Sequence, residues 1–414
     1  MAGSFRPKPI KPRQTIEVSG EHIVLRLILV ILLFGIAMAG VYFGVKGLLT
    51  RESGWTRVEA DSGVPAQATA DIDFEYCLTS NATAEYKLLT VLYSETAQRA
   101  WQVYHPTQAF TGMKNLRTVN AAPNQEVAVE PELYRAFELM EAKGSRALFL
   151  APVYAQYDAV FRSLEDAEAA VYDPARCEEA AAYVAEVMAF VSDPTAVSLE
   201  LLGGDRVRLN VREDYLQYAE ENGVEAYLDF YWLKNAFVLD DLAEKCRSQG
   251  FTRGYLVSRE GFARYLDVAS TADYTLQLTD GTAAGVVMAA SLRIQEGMSL
   301  ACLHGYSLAD NTADFFYQYA DGREVTPYLD PATGESRAAV RDLTLLSRAA
   351  SCAELALAAL PALTAEPWDA ASVTALRADD IAALWFEGKT LCHTELPAEL
   401  TIAVDSYTEK TVGR

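Results

Sequence analysis

The sequence predicts an α+β fold: a mixed domain with antiparallel sheet and flanking helices, preceded by one transmembrane helix. Three observations predict it. Paired strand-like segments flank tight-turn residues, as where Val197–Leu201 and Val207–Val211 enclose Gly203-Gly204-Asp205, a hairpin signal. Helical segments such as the one opened by Pro131 are interspersed among these hairpins, which is the α+β pattern. Leu27 to Val45 is an uncharged apolar run of 19 residues, about 30 Å as a helix and one hydrocarbon core in length.

The elements follow in chain order. Residues 1–22, with an early Pro-Lys-Pro stretch, read as a cytoplasmic tail, and 23–46 as the anchor. Arg6, Lys8, Lys11, Arg13 and Arg26 lie before or at the edge of the run and Lys46, Arg51 and Arg57 after it, which favours a cytoplasmic N-terminus. A cleaved signal peptide is the alternative, since Ala37-Met38-Ala39 fits a signal-peptidase site, but apolar residues continue to Val45. Residues 47–70, rich in Gly, Ser, Ala and Pro from Glu52 onward, read as a linker, and 71–414 as an extracytoplasmic domain at the cell membrane. Within it, Ile72–Leu78 and Tyr86–Tyr93 read as strands. Pro131 opens a helix with Leu133, Phe137 and Met140 on one face. Ala159–Ala169 and Glu178–Val191 read as helices. Ala226–Phe230 reads as a strand, Leu233–Arg247 as a helix and Gly254–Val257 as the next strand. Tyr274–Leu278, Gly285–Leu292, Leu300–Leu303 and Val340–Leu346 follow as strands, and Cys352–Leu363 as an Ala/Leu helix. Ile381–Phe386 and Thr390–His393 then pair across Glu387-Gly388-Lys389.

Composition narrows the function. The net charge is −22 over 414 residues. Residues 1–50 hold six Lys/Arg against two Asp/Glu, so 29 basic and 55 acidic residues remain beyond them, a balance of −26. A nucleic-acid partner is excluded, because phosphates demand clustered Lys and Arg. The six cysteines are scattered without a C-x-x-C, and only four His are present. Metal chemistry would therefore rest on carboxylates and carbonyls, which suit Mg²⁺ or Ca²⁺.

Four stretches, in order, carry a resemblance. They are Val119-Asn120 followed by Val127–Ala142; the run from Leu228-Asp229-Phe230-Tyr231-Trp232 to Asn235 and Asp240; Leu329-Asp330-Pro331-Ala332-Thr333-Gly334; and Asp342–Leu346 with Ser351–Leu360. Together they resemble the FAD:protein FMN transferase (ApbE) family, whose patterns there include D-L-G-G-I-A-K-G-Y-A-V-D, D-P-x-T-G and A-D-A-L-S-T. The resemblance implies an ApbE-like fold, FAD and Mg²⁺ as cofactors, and transfer of FMN from FAD to a Thr of a partner protein. A membrane redox-complex subunit is the partner it suggests. It assigns cofactor binding to Asp229, Asn235, Asp330, Thr333 and Gly334, and the metal to Glu354.

The departures matter as much. Asn235 stands where the family has Lys, Pro327 where it has His before D-P-x-T-G, Glu354 for the metal-binding Asp and Ala358 for the metal-binding Thr. Tyr231 and Trp232 replace the paired glycines that let a ligand approach backbone, and at least one ring is expected to fill the emptied space. Asp229 and Asp240 otherwise read as a turn residue and a solvated helix residue, and His304, near the family's S-G position, as an ordinary histidine. Three readings stay open: a transferase with a rearranged site, a catalytically inactive ectodomain that binds a flavin, a nucleotide or a partner, or a structural ectodomain that kept only the scaffold.

Overall fold

A computed structural model describes residues 23–49, 51–267, 274–282, 285–308 and 315–413; the expected tail at 1–22 lies outside the described residues. The chain divides into two compact units, residues 1–52 and 53–414. In the first, Ile23–Leu49 is one helix of 27 residues, and the side chains from Leu27 to Met38 are exposed. Among the described residues, no helix is long and apolar enough to cross a membrane.

The second unit is α+β. Its centre is a nine-stranded sheet in the spatial order Gly54–Arg57, Ile72–Leu78, Gly254–Ser258, Phe262–Tyr265, Met298–His304, Asp342–Ser347, Ala382–Glu387, Thr390–His393 and Thr408–Thr411. Neighbours are antiparallel except the last pair. Beside it lie a three-stranded sheet of Glu399–Ile402, Gly285–Ile294 and Tyr274–Thr282, another of Glu126–Ala128, Arg206–Val211 and Val197–Leu201, and a two-stranded pairing of Tyr317–Gln318 with Glu324–Val325. The region expected to be a linker contributes Gly54–Arg57 to the edge of the main sheet, paired with Glu75–Leu78, and Val58 is 2% exposed. Its small residues satisfy a strand and a turn as readily as a flexible tether.

Strand alternation sorts the core into two faces. Leu303, Leu343, Leu345 and Trp385 face the principal core, which includes the helices Lys234–Ser248 and Cys352–Leu363. Leu384 and Leu391 face the other way, onto Leu278, Ala290 and Leu292 of the three-stranded sheet.

Two expected strands are not strands. Tyr86–Tyr93 lies inside the helix Ala82–Val103, where Leu89, Leu92, Tyr93, Ala97, Ala100 and Val103 are buried at helical spacing. Ala226–Phe230 runs without a ladder because its backbone is satisfied otherwise. Asn120 donates from Nδ2 to the Leu228 carbonyl at 2.9 Å and accepts from the Leu228 N–H at 3.0 Å, while the Asp229 N–H reaches the Leu148 carbonyl. One buried amide thus replaces a neighbouring strand. The expected helix at 159–169 is two helices, Ala151–Arg162 and Asp166–Tyr172, parted where the Ser163 hydroxyl bonds the Ala159 carbonyl.

Candidate functional site

The segment that Asn120 clamps delivers Asp229 to a tight turn. Its Oδ1 accepts the Tyr231 N–H at 2.9 Å. Burial pushes the Asp229 carboxyl up to about 6, opposed by that N–H and by the charge of Lys234. Tyr231 has φ of +47°, a left-handed backbone at the position where the family pattern has its first glycine. The backbone conformation suits glycine, yet a tyrosine occupies it. The ring is held by stacking on Tyr154 at 4.6 Å and by Phe315 edge-on at 6.0 Å. Trp232 is 0% exposed; it stacks on Phe262 at 5.9 Å and meets Tyr328, two residues before Asp330, at 5.1 Å. A space that paired glycines would leave open is filled here by indole, as burial of a large ring favours.

Asn235 is 4% exposed, and its Nδ2 donates to Glu260 Oε1 at 2.6 Å. Glu260 Oε2 is buried without a partner, and burial, with Asp71 adding, pushes this carboxyl up to about 7. Glu260 carried no sequence signal: it sits between two strands, where a charged residue ordinarily faces water.

The Asp330–Gly334 segment closes on itself. Asp330 Oδ1 accepts the Ala332 N–H at 2.9 Å, and the Asp330 carbonyl accepts the N–H groups of Thr333 and Gly334. Thr333 Oγ1 accepts the Glu335 N–H at 3.3 Å. Gly334 has φ of +74°, and a Cβ there would stand 2.9 Å from Met188 and Val184 of the helix Glu178–Val191, so only glycine fits. Beside this turn lies a cleft of about 680 Å³ lined by Lys143, Arg146, Asp330, Ala332, Arg337 and Leu360, among others.

Glu354 is the third residue of the helix Cys352–Leu363. Its carboxylate accepts the Ser351 N–H at 2.8 Å while the Ser351 hydroxyl accepts the Glu354 N–H at 3.2 Å, a reciprocal capping box. Asp240, expected to be a solvated helix residue, is half-buried and engaged by backbone instead. Its two oxygens accept the N–H groups of Cys352 and Ala353, each at 2.9 Å, and burial raises its carboxyl against those bonds. The carboxylate thus docks one helix onto the N-terminus of another, where the helix dipole favours negative charge.

The assigned residues are therefore placed in separate local networks: Asp229 with Tyr231, Asn235 with Glu260, Asp330 to Gly334 within one turn, and Glu354 with Ser351. Among the described residues, no group of three or more His, Cys, Asp or Glu is gathered to hold a metal ion. Ala358 supplies no side-chain oxygen and the Glu354 carboxylate is committed to its cap, so this donor set does not fit the Mg²⁺ that the resemblance implies.

No protein-family model and no curated protein matches the chain. Solved structures do. The ApbE protein from Thermotoga maritima MSB8 aligns with a TM-score of 0.56 at 12% identity, covering 81% of this chain and 94% of that one. The flavin transferase ApbE from Vibrio cholerae aligns with a TM-score of 0.54, also at 12% identity, with coverage of 81% and 94%. The chain thus has an ApbE-like fold.

Proposed function

We propose that this chain is a membrane-anchored ectodomain that keeps the flavin-transferase fold to bind a flavin or a partner protein, without metal-dependent transfer of FMN. The observation that carries this reading is the helix N-terminus at Ser351–Glu354. The one carboxylate at a family metal position is spent on a capping box, and the residue one turn on is Ala358. Without a divalent cation there, no group in that cluster neutralises the pyrophosphate of FAD or supports its leaving group. The filling of the glycine-pair space by Trp232 supports the same reading. The anchor is inferred from the uncharged run Leu27–Val45 and from the exposed apolar side chains between Leu27 and Met38. It would hold the domain outside the cell membrane, beside membrane redox subunits, the partner class the resemblance suggests.

The test uses the full chain in detergent with FAD, Mg²⁺ and a Thr-containing acceptor. The expected result is no acceptor mass gain of one FMN, with or without EDTA. An EDTA-sensitive gain of one FMN would establish the transferase reading instead. Retention of FAD by the chain through gel filtration, in EDTA, would separate flavin binding from partner binding.

A further inference from the structure

The face of the main sheet turned away from the helices carries a second cluster. The adjacent strands Met298–His304 and Asp342–Ser347 pair Cys302 with Thr344 and His304 with Asp342. Leu303, Leu343 and Trp385 belong to the helix-side core, so alternation sends Cys302, His304, Asp342, Thr344 and Leu384 to the opposite face. There they line a cavity of about 360 Å³ faced on the other side by Leu276 and Leu278 of the three-stranded sheet, with Phe386, Asp73 and Arg259 also at its wall. This volume is at the small-molecule end of ligand pockets.

The polar groups of this cavity are organised around Asp342. Its Oδ1 receives the Tyr306 hydroxyl at 2.7 Å and lies 2.6 Å from His304 Nδ1. Asp342 is 3% exposed and its Oδ2 is buried without a partner. A carboxylate at that distance fixes the proton of neutral imidazole on Nδ1 and leaves Nε2 as the acceptor. Burial pushes the neighbouring Cys302 thiol up to about 12, so it is a neutral wall and no nucleophile.

We propose that this cavity is a binding site for a small, flat, apolar molecule carrying a hydroxyl or amine donor, which bonds His304 Nε2 while its body packs on Leu278, Leu384 and Phe386. Of the charged side chains that line the cavity, Asp73 and Asp342 outnumber Arg259, so a carboxylate is disfavoured there. The site is independent of the flavin-transferase reading, since none of Asp229, Asn235, Asp330 or Glu354 lines it.

Phenol and toluene are isosteric probes of this assignment, and benzoate is the anionic one. The full chain, ¹⁵N-labelled at histidine and held in nanodiscs, is titrated with each while the His304 ring nitrogens are followed by NMR. Phenol should shift His304 Nε2 saturably and bind at least fivefold more tightly than toluene or benzoate. In His304→Phe, whose fold is checked by circular dichroism, phenol and toluene should bind within twofold of each other, read by methyl shifts of the Leu278 and Leu384 walls. Equal affinity for phenol and toluene in the unmodified chain, tighter binding of benzoate, or no saturable His304 shift would each overturn the proposal.

Discussion

Tyr231 records how a site diverges residue by residue. Its φ of +47° is the conformation for which glycine is suited, while its ring is held between Tyr154 and Phe315. Replacing the ring by Ala or by Gly removes the same stacking, but only Gly escapes the left-handed penalty of roughly 1–2 kcal/mol. Tyr231→Gly should therefore be more stable than Tyr231→Ala by about 1 kcal/mol in urea denaturation, the reverse of their usual order; equal midpoints would show that the backbone relaxes. Glu260 gives a pH prediction. Burial raises its carboxyl from 4.5 to about 7, so the folded chain holds this proton more tightly than the unfolded one. The stability this protonated form confers is fully present below pH 4.5 and lost as pH rises through 7. Glu260→Gln cannot ionise, so its urea midpoint relative to the unmodified chain should rise between pH 5 and pH 8. A difference that does not change with pH would mean that Glu260 titrates normally.

At the scale of elements, the helices Lys234–Ser248 and Cys352–Leu363 share the principal core, and one side chain hydrogen-bonds them together. Asp240 reaches both Cys352 and Ala353 N–H groups, and those residues are 0% and 1% exposed, so water cannot replace the carboxylate. Asp240→Ala should cost about 2–3 kcal/mol, the range for leaving helix N-terminal donors buried and unpaired. The urea midpoint of the domain reads this directly, and a loss under 0.5 kcal/mol would return Asp240 to the role of a solvated helix residue. The same junction accounts for Asp240, as its turn does for Asp229, without chemistry. One carboxylate turns the chain before the helix and the other docks a neighbouring helix, each engaged locally.

Across the whole molecule, one nine-stranded sheet separates two environments. Its helix side holds the residues that resemble a flavin site, each tied into its own turn or cap; its other side holds the His304–Asp342 cavity. The anchor reading is also tested at this scale. If Leu27–Val45 is retained, the protein should stay with membranes through a carbonate wash, and protease added outside should reach residues from 53 onward. Recovery of a soluble fragment starting at Gly40 would instead establish signal cleavage.

Much of the fold is legible in the chain alone, for local reasons. Glu178–Val191 and Cys352–Leu363 have the extents their periodicity predicts, and Val197–Leu201 pairs with Arg206–Val211 around the glycine turn. Such elements need only near neighbours: caps, turn residues and one apolar face. Tyr86–Tyr93 failed that reading because a β-prone composition was overridden by packing at helical spacing. Ala226–Phe230 failed because its partner is a side chain 108 residues away, Asn120. The site divided along the same line. The order of the four motifs and the losses at Asn235, Glu354 and Ala358 are properties of the chain. That Asp240 holds the N-terminus of a distant helix, that Trp232 fills the glycine space, and that Asp342 and the Glu260 carboxyl oxygen Oε2 are buried all depend on contacts between segments far apart in sequence. Burial sets both the cost of a charge and the partners open to it, and burial is fixed only when distant strands and helices come together.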